Sequence, residues 1–164
     1  MDRFERLASA LRRIPGLEVR ENEPMKRHTT FRIGGPARLM ALPRSRKEAA
    51  AAVRAATEAG IAPFFLGNGS NLLVADHGYE GFVLKACGLD QVREVNRRLR
   101  AESGITLARL ANAALGRGLT GLEFAHGIPG TLGGAVVMNA GAYGGEMVQV
   151  LTAVTYLDGA GEGH

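Results

Sequence analysis

Gly127-Ile-Pro-Gly-Thr-Leu-Gly-Gly-Ala-Val-Val-Met-Asn-Ala-Gly-Ala-Tyr-Gly-Gly145 is the stretch on which the reading of this chain turns. Seven of its nineteen residues are glycine, none is charged, and an apolar run, Ala135–Met138, fills its middle. Glycine costs backbone entropy, so this density implies backbone shapes or close approaches that side chains would forbid. A flexible linker would carry serine and charge instead of Val136, Val137 and Met138. Ile128-Pro129-Gly130-Thr131 reads as a type II turn, proline at its first corner and glycine at its second. A tight, uncharged, glycine-walled surface suits a flat, partly apolar ligand with polar edges. Buried turns and close-packed strands are the plainer alternative.

Outward from that stretch, 164 residues suffice for one ordinary domain or two small ones. Hydrophobic residues at 46% and charged residues at 22% describe a soluble globular chain. Twenty-three glycines argue for a loop-rich, ligand-binding architecture over a helical bundle. Cys87 is the only cysteine, which rules out an internal disulfide and fits a reducing, cytoplasmic compartment. The net charge of +4 comes from scattered arginines and lysines, without the dense basic, aromatic-interleaved cluster of a nucleic-acid binder. A phosphorylated small molecule accounts for the same surplus. No apolar run nears the roughly eighteen residues of a membrane span, and the start of the chain reads as no targeting signal.

Along the chain, Phe4, Leu7, Ala8 and Leu11 recur at helical spacing in residues 2–14, and Pro15-Gly16 ends that helix. Glu21–Arg27 reads as polar surface. Thr29–Ile33 alternates like a strand, and Arg38–Pro43 is a second one. Ser45 and Glu48 have capping-box spacing at the head of a helix that Gly60 closes. Ile61–Leu66 reads as a buried strand, so strand, helix and strand imply a parallel βαβ unit. Leu66-Gly-Asn-Gly-Ser-Asn-Leu-Leu73 then leaves the carboxyl end of that strand, where parallel sheets bind ligands. Bare amides from Gly67 to Ser70 could form an anion nest for a pyrophosphate, with Ser70 and Asn71 adding side-chain hydrogen bonds. Neither a Rossmann nor a Walker fingerprint is present, and a plain turn fits that loop equally well.

A strand through Phe82–Leu84 follows, His77 lies in an exposed turn, and Cys87-Gly88 reads as a boundary between two lobes. Val92–Val95 and Leu99–Glu102 are strands around a solvated Asn96-Arg97-Arg98 turn, and Thr106 caps a helix. Val150–Leu157 reads as a last strand, with Asp158-Gly159 opening a hairpin whose partner is missing, so the sequence reads as incomplete. No acid–base pair, partnered nucleophile or metal-ligand spacing appears.

Three motifs together carry a resemblance: His28–Ala37, Leu66–Val74 and Gly118–Glu146. In this order and spacing the chain closely resembles the bacterial UDP-N-acetylenolpyruvoylglucosamine reductases of peptidoglycan synthesis. The resemblance implies an α+β, two-lobed FAD-binding fold of the p-cresol methylhydroxylase or vanillyl-alcohol oxidase type, with the substrate domain missing. Residues 1–86 would form the first lobe with its N-terminal helix, and 87–164 the second, incomplete at its end. It implies FAD as cofactor, NADPH as reductant and UDP-N-acetylglucosamine enolpyruvate as substrate.

By motif, Gly67, Asn68, Gly69, Ser70 and Asn71 would hold the FAD pyrophosphate. Ile128, Pro129, Gly133, Gly134, Val137 and Gly141 would line the isoalloxazine and ribityl part, and Tyr143 would face the substrate. The family's catalytic arginine, serine and glutamate lie beyond the position of His164. No residue here replaces them, so this chain alone is expected to bind FAD poorly and not turn over. Ala101-Glu-Ser-Gly104 departs from the family's usual Gly-Ala-Gly. The rivals are an FAD-dependent oxidase of the same fold, with His77 a site for covalent flavin, and a non-catalytic nucleotide-binding module.

Overall fold

A computed structural model describes residues 2–164. Its first half is built on a four-stranded sheet in the order β1-β2-β4-β3, with β1 Glu18–Pro24, β2 Pro36–Leu42, β3 Pro63–Leu66 and β4 Tyr79–Lys85. β1 runs antiparallel to β2, whereas β2 and β3 both run parallel to β4. The expected βαβ unit is therefore opened by one place, because β4 inserts between the two strands that helix α2 (Arg46–Glu58) connects. β3 is consequently an edge strand. Only Ile61 and Leu66 of the Ile61–Leu66 run are buried, while Phe64 and Phe65 face outward, which corrects the buried-strand expectation.

Helices α1 (Arg3–Arg12) and α2 cover one face of this sheet. Phe4, Leu7 and Leu11 from α1 and Ala52, Val53 and Ala56 from α2 pack on Leu39, Ala41, Phe82 and Leu84. The opposite face carries Met25, Ala37, Met40, Leu66, Val74 and Val83. Ala37 and Met40 share that face although they are three apart, because the β2–β4 register shifts between Ala37 and Leu39. A one-residue slip exchanges the faces of a strand, and the bulge performs that exchange once.

Ser45 caps α2 as its spacing suggested. Its Oγ accepts from the Glu48 amide at 3.2 Å, while the Glu48 carboxylate accepts from the Arg44 amide at 2.8 Å. Replacing Ser45 with alanine leaves an N-terminal amide of α2 without its acceptor. The expected loss is about 1 kcal/mol of stability, read as a lower urea midpoint at unchanged slope.

Three segments differ from their sequence reading. Thr29–Ile33 is a turn, not a strand: Arg32 takes φ +55° and Gly34 φ +130°, and the Thr29 hydroxyl closes the turn on the Ile33 carbonyl at 3.0 Å. Glu21–Arg27 is not simply surface, since Glu23 and Met25 are buried. Val150–Leu157 pairs with no strand among the described residues and stays irregular apart from a bridge, Leu157 to Gly163. The turn at its end does form, with the Asp158 carboxylate accepting from the Ala160 and Glu162 amides.

After a short turn at Ala86–Gly88, β5 (Val92–Val95) and β6 (Arg98–Ala101) form the expected hairpin, Asn96 and Arg97 both adopting positive φ as its tight turn requires. Helix α3 (Leu107–Leu115) follows, with Thr106 Oγ1 accepting from the Arg109 amide. The glycine-rich stretch then makes a helix, α4 (Leu132–Met138), and a two-residue hairpin, β7 (Gly141–Ala142) with β8 (Gly145–Glu146). Leu107, Ala125, Ala135 and Met147 form the core there.

Candidate functional site

The glycine-rich stretch departs from its expected type II turn, and its apolar run is neither a turn nor a strand. Gly130 is not at positive φ, so Ile128–Thr131 is no type II turn; the Gly130 amide donates to Ile128 O at 2.9 Å, a tighter turn centred on Pro129. The apolar run Ala135–Met138 is helical. Asn139, at φ +44°, ends α4 in the left-handed conformation, and the Ala140 amide returns to Ala135 O at 2.8 Å. The Asn139 side chain then accepts from the Val148 amide and donates to Glu146, which fixes the β7–β8 hairpin against the helix end.

This stretch meets the loop after β3. Asn68 Nδ2 donates to Pro129 O at 3.1 Å, and Gly67 lies against Thr131, whose Oγ1 would be 2.2 Å from a Cβ there. Gly69, at φ +66°, lies under the His28 carbonyl, 2.0 Å from where its Cβ would be, and its own carbonyl accepts from the Thr30 amide at 3.1 Å. The amides of Asn68, Gly69, Ser70 and Asn71 donate to no acceptor among the described residues. Amides without acceptors at the carboxyl end of a parallel strand suit a bound anion.

The glycines divide by cause. Gly67 and Gly69 are excluded from bearing side chains by their own neighbours. Gly133 is excluded by Ser103, whose carbonyl accepts its amide at 2.7 Å, and Gly141 by the backbone across its hairpin. Gly134 is different: it is exposed, and a Cβ would have only Thr131 Oγ1 nearby, at 3.7 Å. Ile128 packs into the core beside α4, and Pro129 is exposed. Val137 is 85% exposed. Packing accounts for neither the missing side chain at 134 nor the outward valine at 137, and a flat apolar ligand would account for both.

Tyr143 is 97% exposed, sits at φ +53° in the β7–β8 turn, and borders an open depression of about 520 Å³ with Glu123, Phe124 and Gln149. None of the residues assigned to the cofactor lines that depression. The cofactor reading thus rests on the junction of two loops and an open wall, not on a closed cavity.

One network escaped the sequence reading. His28 Nε2 lies 2.9 Å from Glu23 Oε1, Lys85 Nζ lies 2.8 Å from His28 Nδ1, and Arg20 donates to Glu23 at 2.9 Å. Burial pushes the His28 pKa down, and the nearby Lys85 charge adds to this against the pull of Glu23. Burial works against the Glu23 charge, but hydrogen bonds from His28 and Arg20 outweigh it and hold that carboxyl below the usual range. Cys87 is half-buried, and burial raises its thiol pKa, the opposite of an activated thiolate. His77 is exposed, as expected.

Comparison with known proteins decides the family. The FAD binding domain family matches residues 37–164, most of the chain. The chain belongs to this family. As an FAD-binding domain it is 53% identical over 137 residues to the UDP-N-acetylenolpyruvoylglucosamine reductase of Caldanaerobacter subterraneus subsp. tengcongensis, covering 84% of this chain and 45% of that protein. Its fold superposes on the crystal structure of UDP-N-acetylenolpyruvylglucosamine reductase from Thermus caldophilus with a TM-score of 0.72 and 37% identity, over 90% of this chain and 51% of that one. A second likeness is to glucooligosaccharide oxidase from Acremonium strictum, TM-score 0.69, over 97% of this chain and 36% of that one; at 18% identity it bears on the fold alone. The fold is the α+β FAD-binding type anticipated from the motifs. This FAD-binding domain spans about half the length of the reductases it matches. Among the described residues no helix is long and apolar enough to cross a membrane.

Proposed function

We propose that this chain is the FAD-holding part of a reductase that converts UDP-N-acetylglucosamine enolpyruvate to UDP-N-acetylmuramate with NADPH, in the cytoplasm. The observation that carries the reading is the junction of Asn68–Asn71, whose backbone amides donate to no acceptor among the described residues, with the uncharged Pro129–Thr131 turn through the Asn68 side-chain bond to Pro129. Likeness to reductases of that name supports the choice of reaction.

Residues 1–86 form the first lobe and 87–164 the second, and the cofactor lies where the Gly67–Asn71 loop of one meets the Ile128–Gly134 segment of the other. Gly67, Asn68, Gly69, Ser70 and Asn71 bind the diphosphate through amides, supplemented by the Ser70 hydroxyl and the Asn71 amide group. Ile128, Pro129, Gly133, Gly134, Val137 and Gly141 form an uncharged wall that excludes water from the flavin ring. Bound FAD supplies the hydride chemistry. The enolpyruvyl double bond gains one hydride and one proton, and NADPH leaves as NADP⁺. Tyr143 faces the substrate from its turn.

Purified full-length protein should absorb as a flavoprotein and oxidise NADPH only when the enolpyruvyl UDP-sugar is present. A yellow protein whose NADPH oxidation ignores that sugar sinks the proposed reaction. Oxygen consumption on an alcohol, with flavin retained covalently at His77, would instead make it an oxidase of the same fold.

A further inference from the structure

Four polar or charged side chains are buried among the described residues, Glu23, His28, Thr29 and Thr131, and the first three lie just before or at the start of the turn that touches the loop proposed for the diphosphate. Such groups are retained in a core only with partners, and those of His28 are specific. Lys85 Nζ, 2.8 Å from Nδ1, can only donate, so Nδ1 must accept. Nε2 then carries the proton and donates to Glu23 at 2.9 Å. The ring is thereby a neutral span between β1 and the end of β4. Lys85 pairs in the sheet with Leu66, the residue immediately before Gly67. On the backbone side, the His28 carbonyl closes over Gly69, and the Thr30 amide donates to Gly69 O.

We propose that His28 is a positioning residue for the cofactor: its ring, held between Lys85 and Glu23, seats its own carbonyl on Gly69 and so aims the amides of Asn68–Asn71 at a diphosphate. The inference rests on the reading of that loop as the diphosphate site. Arg20 and Glu23 face the ring's network from β1, Lys85 faces it from β4, and Cys87 lies beside Lys85 in the next turn. A second proton on the ring would set its Nδ1–H against the Lys85 ammonium. The contact breaks, and the loop loses its stop. Because burial and Lys85 both oppose that proton, diphosphate binding stays level across the ordinary histidine range and declines only on its acid side.

The test titrates FAD, and riboflavin as a probe without phosphates, into flavin-stripped full-length protein from about pH 8 to about pH 5. Wild type should bind FAD far more tightly than riboflavin and lose FAD affinity only toward the acid end. His28→Leu should weaken FAD about tenfold at neutral pH and leave riboflavin unchanged, since only the diphosphate contact is disturbed. His28→Gln offers an oxygen to Lys85 and an N–H to Glu23 without titrating, so it should retain FAD affinity and abolish the acid-side loss. Lys85→Met gives an independent route to the His28→Leu result if that variant folds badly. Equal losses for riboflavin and FAD, unchanged FAD affinity in folded His28→Leu and Lys85→Met, or an acid-side loss persisting in His28→Gln would each overturn the role of His28. Wild type that binds FAD no better than riboflavin would overturn the diphosphate site itself, and the inference with it.

Discussion

Gly134→Val should cost FAD affinity on the order of a hundredfold, about 3 kcal/mol of overpacking against the ring, and leave the stability of the flavin-free protein nearly unchanged. The two halves of that expectation come from different observations. A Cβ at 134 has 3.7 Å to its nearest neighbour, Thr131 Oγ1, and the residue is exposed within a helix, so valine meets no obstacle in the protein. Glycine inside a helix is itself unfavourable by up to about 1 kcal/mol relative to alanine, so the flavin-free variant should hold its melting temperature or gain slightly. Any lost affinity therefore reports on what lies outside the chain. Flavin fluorescence titration together with a thermal melt of the stripped protein separates the two effects. Undiminished FAD binding in a folded variant would remove Gly134 and its neighbour Val137 from the cofactor wall.

Gly104→Ala should do the reverse and unfold the protein, losing about 3–5 kcal/mol before any ligand is considered. Gly104 is not at positive φ, so the backbone itself would accept alanine. The obstacle is contact. A Cβ would sit 2.0 Å from Ala86 O, 2.8 Å from Cys87 Cα and 2.8 Å from Leu89 O, all backbone atoms with no flexible side chain to move away. The Gly104 amide also donates to Leu89 O at 2.7 Å, which holds the segment after β6 against the turn after β4. Urea unfolding of the variant should show a sharply lower midpoint, and a midpoint within experimental scatter of wild type would mean that this junction yields more readily than close-packed backbone should. The two substitutions are thus expected to separate a position where ligand binding is lost from one where the fold is lost.

That distinction marks how far the sequence could be read. Helices α1, α2 and α3, with the Ser45 and Thr106 caps, were legible because apolar spacing and capping chemistry are local. The tight Asn96-Arg97 turn was legible for the same reason. The sheet order was not, since nothing local in Pro63–Leu66 reveals that β4 will occupy the place beside β2, nor that Phe64 and Phe65 will face outward. α4 was not legible because glycine and valine both disfavour helix, and tertiary contacts to Ser103 and Ile105 override them. The two loops of the site were both visible as glycine-rich segments, whereas the Asn68–Pro129 bond that joins them is separated by sixty-one residues. His28 stands within a visible motif, but its burial with Glu23 depends on a neighbour far along the chain, Lys85.

The place of β4 in the sheet also sets an order in time. When β3 has been synthesised its partner does not yet exist: β2 can already pair with β1, but β3 pairs only with β4, a strand that ends at Lys85. The connection through α2 must wait open, and the loop from Gly67 onward is closed into its final shape only as β4 slides between its two neighbours. Long-range pairings of this kind are slow, since loop entropy is spent before contacts return it. The loop from Gly67 onward is therefore among the last parts of this half to become rigid, and if it holds the diphosphate as proposed, the cofactor is taken up only after the sheet is complete.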